Sequence, residues 1–275
     1  MSYKTVLVHV DHSIHAAQRI RIAAEIAAAD DAHLVGSTTG RAQPQGKPPS
    51  LMSLLHRTTR PARPQSPDAA LVNFDAIASG SGVNSYERRV GGDEPDGGIA
   101  AQAGYCDLVV ISQPDPEGPR DLAADLPQIV MLNCARPVLI IPYAGHFEQI
   151  GKHVLVAWDG SLAASRAISS ALPLLQRAGK VTVALFNRKS RSAAGGGQPG
   201  SDIALYLARH GVKVEVSPQQ TDFDIGNALL SMAADIDSDM IVMGGYGHTR
   251  LREFMAGGVT DTVLKTMTVP VFMVH

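Results

Sequence analysis

The sequence predicts an α/β fold of two tandem domains, each an open-twisted parallel sheet of five strands with helices on both faces. Short segments of continuous apolar character alternate with helical segments along the chain. That pattern is typical of parallel strands covered by helices on both sides. The chain also repeats, because Lys4–Ser13 returns as Lys152–Ser161 with six of ten positions identical, 148 residues further on. We therefore expect two copies of one domain in these 275 residues.

The end of each copy repeats as well, and the spacing locates extra chain in the first copy. Asp107–Ile111 matches Asp239–Met243 at a distance of 132 residues, and Arg136–Ile141 matches Val269–Val274 at 133. Because both distances are shorter than 148, the first copy is longer in its middle. We interpret segment 43–67, with its six prolines, as a mobile surface loop. The polar segment 143–151 separates the copies, so we assign the domains to residues 1–143 and 151–275.

Each copy contains five segments with strand character, bounded by turn residues. In the first copy they are 5–10, 32–38, 82–90, 107–112 and 137–141, and in the second 153–157, 180–186, 212–216, 240–243 and 269–274. An Ala-rich helix follows the first strand, with Ser13 as its expected N-cap. Helices are expected near 161–178, 200–210, 224–235 and 258–266, with a kink at Pro173 in the first of them. Ligands of such sheets bind beyond the carboxyl ends of the strands.

Composition and charge exclude several classes of protein. The net charge of −2 argues against binding of nucleic acid through bulk positive charge. No apolar run approaches the roughly 18 residues of a membrane span, and charge and histidine near residue 1 argue against a signal peptide. Cys106 and Cys134 lack a metal-binding or redox spacing and are interpreted as small core residues. We expect a cytoplasmic globular protein with no nucleic-acid or membrane partner.

A glycine-rich segment follows the fourth strand of the second copy. Gly244 and Gly247 allow a tight turn and a close approach of backbone to a ligand. Gly257 and Gly258 then precede a helix, whose N-terminal N–H groups suit a phosphate, and Thr260 adds a hydroxyl. The segment has neither the Walker A nor the GxGxxG pattern. From spacing alone, a turn and a helix cap explain these glycines as well as a phosphate site does.

The motifs of the second copy resemble the universal stress protein family. The second copy opens with Val-Leu-Val-Ala-Trp-Asp-Gly-Ser and closes with Val-Pro-Val. Between these two motifs lies Met-Gly-x-x-Gly, which is followed after nine residues by Gly-Gly-Val-Thr. The resemblance implies a Rossmann-like fold and, in one branch of the family, binding of ATP, with magnesium, or of AMP. It also implies that the fifth strands pair across a two-fold axis, here within one chain as a pseudo-dimer. A further homodimer stays open, and the protein partner is unknown.

The resemblance implies a set of nucleotide-binding residues. Gly244, Gly247 and Gly257 match the family pattern, whereas Gly258 stands where the family has Ser or Thr. Asp159 matches an acidic residue near the nucleoside, and Phe186 an apolar residue against adenine. The full set of candidate nucleotide-binding residues, with His248 included as a residue of the glycine loop, is Ala157, Asp159, Phe186, Met243, Gly244, Gly247, His248, Gly257, Gly258, Val259 and Thr260.

The first copy departs from this pattern. Ser112, Asp115, Asp125 and Leu126 stand where the second copy has its four glycines. Acidic side chains repel phosphate, and Pro114 and Pro116 remove backbone donors. We therefore expect a single nucleotide site, in the second copy, and a first copy that only completes the fold.

Other candidate sites are weaker, and three functions stay open. His9, His12 and His15 lack the further ligands of a metal site, so we expect none. No GxSxG nucleophile motif is present. The sequence favours a regulatory, non-enzymatic stress-response protein that binds one adenine nucleotide. The alternatives are a slow ATP hydrolase, with Asp261 as its nearest carboxylate, and an interaction module that needs no nucleotide.

Overall fold

The computed structural model describes residues 2–38, 67–92, 98–116, 125–187, 200–246 and 258–275. Their strands form one ten-stranded sheet in the order β3-β2-β1-β4-β5-β10-β9-β6-β7-β8. Each half of this order is the same five-strand arrangement, and the two arrangements meet at β5 and β10. The prediction of two parallel five-stranded units with helices on both faces is confirmed.

The first half alternates strands and helices. Its elements are β1 (Thr5–His9), α1 (Ala16–Asp30), β2 (His33–Thr38), α2 (Pro67–Gly80), β3 (Tyr86–Val90), α3 (Ile99–Ala103), β4 (Leu108–Ser112), α4 (Leu126–Asn133) and β5 (Val138–Ile141). The Pro-rich segment predicted at 43–67 lies, up to residue 66, outside the described residues.

The second half repeats the alternation. Its elements are β6 (His153–Ala157), α5 (Leu162–Arg177), β7 (Lys180–Phe186), α6 (Ser201–Arg209), β8 (Val214–Gln219), α7 (Ile225–Asp235), β9 (Met240–Gly244), α8 (Val259–Thr266) and β10 (Val271–Val274). All strands expected from the sequence are present, with ends shifted by up to four residues. Helix α5 continues through Pro173 to Arg177. Within the described residues, no helix combines the length and the apolar character needed to cross a membrane.

The assignment of Ser13 as an N-cap is wrong, although its counterpart Ser161 is one. Helix α1 begins at Ala16 after His15, without a side-chain cap. The Ser13 hydroxyl instead donates to Asp11 Oδ1 at 2.7 Å, because serine competes locally for any nearby acceptor. In the second half, Ser161 Oγ accepts a hydrogen bond from the Ala164 N–H at 3.1 Å and caps α5.

The two halves are joined by antiparallel pairing of β5 with β10. Leu139 pairs with Phe272, flanked by Ile140 with Val271 and Val138 with Met273. All six side chains are fully buried. An apolar strand left unpaired at a sheet edge would expose its backbone donors and acceptors to other chains. The predicted intrachain pairing of the fifth strands is therefore confirmed.

Two apolar layers cover the faces of this continuous sheet. One contains buried residues of α1, α2, α5 and α6, and the other buried residues of α3, α4, α7 and α8. Phe272 belongs to the first layer and Met273 to the second, as expected from the alternation of side chains along a strand. Cys106 and Cys134 are free and buried, and burial raises the pKa of the Cys106 thiol to about 11.

Truncation of Phe272 at the join should destabilise the whole chain. Phe272→Ala removes a fully buried ring and should lower the free energy of unfolding by about 3–5 kcal/mol. Phe223→Ala is the matched control, because this ring is 83% exposed, and its effect should stay within about 0.5 kcal/mol. Urea unfolding followed by circular dichroism measures both. Equal losses in the two variants would contradict the role assigned to the join.

Candidate functional site

The carboxyl ends of β6, β7 and β9 meet where the strand order of the second half reverses. Strand β6 pairs in parallel with β9 on one side and with β7 on the other. The connections that leave β6 and β9 therefore diverge, which creates the crevice where open α/β sheets bind ligands. Ala157, Phe186, Met243 and Gly244 end these strands and lie along this edge.

Gly244 brings β9 against the start of α5 more closely than any other residue would allow. A Cβ at this position would collide with the backbone of Ala163 and Ala164. After Gly244 the chain turns through Tyr246, which has a left-handed backbone with φ of 52°. The first glycine of the motif is thus required by packing, whether or not a ligand binds.

Helix α8 returns to this turn at its N-terminus. Thr260 Oγ1 accepts a hydrogen bond from the Tyr246 N–H at 3.2 Å, joining the residues on either side of the glycine segment. Gly258 is the N-cap and has no side chain to occupy the first N–H groups of the helix. These N–H groups and the positive end of the helix dipole favour an anion. Gly247, His248 and Gly257 lie outside the described residues.

Asp159 follows β6 and is exposed at the same edge. Its Oδ1 accepts a hydrogen bond from the Ser161 N–H at 2.9 Å, which shapes the turn into α5. Asp11 makes the same turn in the first half, where its Oδ1 accepts from the Ser13 N–H at 3.0 Å. An aspartate at this position therefore has a structural role in both halves.

A cavity of about 610 Å³ lies beside this edge, between the ends of β7 and β8 and helix α7. Phe186 borders both the edge and the cavity. The cavity lining combines aromatic and amide side chains, including Phe186, Gln219, Phe223 and Asn227, with the carboxylates of Asp224 and Asp235. Such a lining suits a planar ring with polar edges, because aromatic faces stack and amides both donate and accept.

In the first half, the corresponding edge is filled by the side chain of Arg19. This guanidinium is fully buried. It donates from Nε to the His9 carbonyl at 2.7 Å and from one terminal nitrogen to Ser112 Oγ at 2.5 Å. Its other terminal nitrogen lies 3.0 Å from Asp11 Oδ1. The edge of the first half is thus closed by its own residues.

The matching positions of the second half all carry small residues. By the repeat, Ala167 stands where the first half has Arg19, Ala157 where it has His9, and Gly244 where it has Ser112. The sequence interpretation attributed the loss of the first site to Asp115 and Asp125. In the structure, Asp115 pairs with His15 at 3.3 Å. The contacts of Arg19 were not predicted from the sequence. A comparison of the two repeats could have indicated these contacts, because α1 has an arginine on an otherwise apolar face at the position where α5 has an alanine.

The cluster around Arg19 sets the charges of its neighbours. Although burial alone would raise the pKa of the Asp11 carboxyl, the Arg19 guanidinium and the Ser13 hydrogen bonds hold it well below its usual range. Burial lowers the pKa of His9 to about 4, against the opposing effect of Asp11. At neutral pH the cluster therefore holds an arginine–aspartate ion pair and an uncharged imidazole. Among the described residues, no three His, Cys, Asp or Glu side chains are grouped to hold a metal ion.

The buried His9 should make the stability of the protein fall as the pH is lowered from about 6.5 to about 4. In this range the unfolded chain binds a proton at His9 and the folded chain does not, so acid favours unfolding. The loss should be on the order of 3 kcal/mol. Urea unfolding at a series of pH values should show a flatter profile for His9→Leu. His146→Leu, at an exposed position, is the control and should keep the wild-type slope; an unchanged slope in His9→Leu would contradict the prediction.

Known proteins resemble the chain in sequence and in fold. The universal stress protein family model matches residues 151–275. A universal stress protein of Synechocystis sp. is 29% identical over 161 residues, covering 54% of this chain and 50% of that protein. The chain therefore spans about half the length of this curated relative.

The fold likeness extends over both halves. A universal stress protein from Archaeoglobus fulgidus has a TM-score of 0.71 at 16% identity, covering 98% of this chain and 95% of that one. A putative universal stress protein from Pseudomonas aeruginosa has a TM-score of 0.62 at 17% identity, with 99% and 93% covered. At these identities the structures support the fold alone. Residues 151–275 thus match the universal stress protein family, and both halves share the fold of solved universal stress proteins.

Proposed function

We propose that the second half binds one adenine nucleotide, ATP or AMP, at the carboxyl edge of β6, β7 and β9, in a regulatory role. The observation that carries this proposal is the contrast between the two halves. One edge is closed by the buried Arg19, and the other is lined by Ala157 and Gly244 beside the uncapped N-terminus of α8. An open edge with helix N–H groups is suited to a ligand that carries phosphate.

Each part of the nucleotide has a proposed partner. The phosphates would accept hydrogen bonds from the first N–H groups of α8 and from the Thr260 hydroxyl, whose proton is not used in the bond from Tyr246. Gly247 and Gly257 are assigned to the phosphates by the family pattern, and His248 by its place in the same loop. The exposed carboxylate of Asp159 would accept from the ribose. Adenine would lie against Phe186 and reach the neighbouring cavity of about 610 Å³, with Met243 beneath it.

The residues around the proposed phosphate position fit an anionic group. A Cβ built at Gly258 would meet no atom of the described residues within 4 Å. The nearest carboxylate on α8, Asp261, lies 2.8 Å from the Lys265 ammonium, which offsets its charge. If ATP binds with magnesium, the ion would neutralise phosphate charge, held mainly by the phosphates and water. The nucleotide would then stabilise the second half when bound, which is the simplest basis for regulation.

Calorimetric titration with ATP, ADP and AMP tests the site and its stoichiometry. We expect one nucleotide per chain, because the buried Arg19 occupies the corresponding edge of the first half. Gly247→Val should abolish binding, because the β-branched side chain disfavours backbone conformations open to glycine and fills space beside the phosphates. Gly80→Val is the control, since a Cβ at this exposed glycine meets no atom within 4 Å. Two equivalent sites per chain, or full affinity in Gly247→Val, would overturn the assignment.

Replacement of Gly258 should restore a hydroxyl at the helix start. The residue has an extended φ of 168°, which any amino acid adopts, and its Cβ would meet none of the described residues within 4 Å. Gly258→Ser should therefore keep the affinity or tighten it by up to about 1 kcal/mol through one added hydrogen bond. Gly258→Ala adds the Cβ without the hydroxyl and isolates its effect. Weaker binding in the serine variant than in the alanine variant would contradict a phosphate at this position.

A further inference from the structure

Gln113, in the half that has no open edge, reaches into the half that has one. It follows β4 and is only 4% exposed. Its side-chain nitrogen donates to the carbonyl of Leu264 at 2.9 Å and to that of Lys265 at 3.1 Å. Its side-chain oxygen accepts a hydrogen bond from the Tyr143 N–H at 3.4 Å. Both polar atoms of the amide are therefore used, and both donors are directed at helix α8.

The carbonyls that Gln113 binds are at the C-terminal end of α8. The last carbonyls of a helix have no partner within it, and a buried helix end needs one from elsewhere. Helix α8 has eight residues and is roughly 12 Å long. Gln113 thus holds one end of the rigid helix whose other end, Gly258–Thr260, is proposed to hold the phosphates.

A second contact crosses between the halves at the symmetry-related place. Gly245 follows β9 as Gln113 follows β4, and Met131 in α4 corresponds by the repeat to Leu264 in α8. Met131 is 2% exposed, and a Cβ at Gly245 would overlap its methyl group. The first half therefore contacts the second on both sides of the glycine segment, with Met131 at Gly245 and Gln113 at α8.

We propose that Gln113 is a positioning residue for phosphate binding in the other half, so that the nucleotide site is complete only when both halves are docked. The inference rests on the proposed function. Gln113 lies at the opposite edge of the sheet from the nucleotide, because the halves run antiparallel at β5 and β10. It therefore acts only through α8, by keeping the N–H groups of the first turn at the place where the phosphates bind.

If Gln113 positions α8, its replacement should weaken the binding of ATP but not that of adenosine, a difference that a merely structural role would not produce. Gln113→Met keeps the length of the side chain and removes both hydrogen bonds to α8. It should weaken ATP binding about tenfold, the equivalent of roughly one net hydrogen bond. Adenosine has no phosphate, so its affinity should stay within about twofold of the wild-type value. Titration calorimetry with both ligands, well below the melting temperature of each protein, gives the two affinities.

Gln18 supplies the matched control. Its amide also donates and accepts, to the Gly145 carbonyl at 3.4 Å and from the Phe147 N–H at 3.1 Å. These contacts join α1 to the connection after β5 and do not reach α8. Gln18→Met should therefore leave the affinities for both ligands unchanged. Equal ATP affinity in the wild type and Gln113→Met, or equal losses for ATP and adenosine, would overturn the inference.

A measurement on the wild-type protein keeps the inference testable if Gln113→Met does not fold. Saturating ATP should shift the side-chain amide resonances of Gln113 in the NMR spectrum, because the ligand binds the helix to which this amide donates. Adenosine should leave them in place, and shifts of equal size with both ligands, or with neither, would overturn the inference. If the wild type binds neither ligand, the proposed function fails as well, whereas binding of ATP without the split contradicts only the role of Gln113.

Discussion

Three residues of β5 pair antiparallel with three of β10, and the relation between the halves follows from the direction of that pairing. Because the strands next to the join run parallel to β5 in one half and to β10 in the other, the two carboxyl edges face opposite ways. The end of β4 therefore lies beside the C-terminus of α8, and the end of β9 beside α4. The backbone pairing thus brings each half to the loop that follows the fourth strand of the other.

The carboxyl edges of the two halves have the same backbone arrangement but differ in the residues that lie there. In the first half, a buried guanidinium is held by a carboxylate, a carbonyl and a hydroxyl. Burial of a charge is tolerated only with such partners, and loss of one partner would leave the other uncompensated. In the second half, Ala157, Ala167 and Gly244 stand at the matching positions, and the start of α5 packs directly against Gly244. The charge of Arg19 is thus paired within the first half, whereas the second half has helix N–H groups that an anionic ligand would satisfy.

The sequence predicted the fold well because parallel strands buried on both faces are continuous apolar runs, and the repeat supported each assignment twice. Ser13 was wrongly assigned as an N-cap because its hydroxyl had two possible local partners, the first N–H groups of α1 and the Asp11 carboxylate. The sequence did not show that it would donate to Asp11. The contacts of Arg19 and Gln113 depend on tertiary packing. An arginine in an Ala-rich helix is ordinarily a solvated residue, and the partners of Gln113 lie some 150 residues away in the chain.

Fusion of the two halves into one chain permits an arrangement that a symmetric dimer excludes. In a homodimer with two-fold symmetry, each residue occurs on both sides of the interface, so the residue after the fourth strand must be the same in both loops. In this chain the two loops differ, with Gln113 bonded to the opposite helix and Gly245 admitting Met131. A glycine in both loops would admit the methionine but leave the end of α8 without its donors. A tandem chain can place Gln113 in one loop and Gly245 in the other, so the first half can diverge while it keeps the fold and, as proposed above, supports helix α8 of the second.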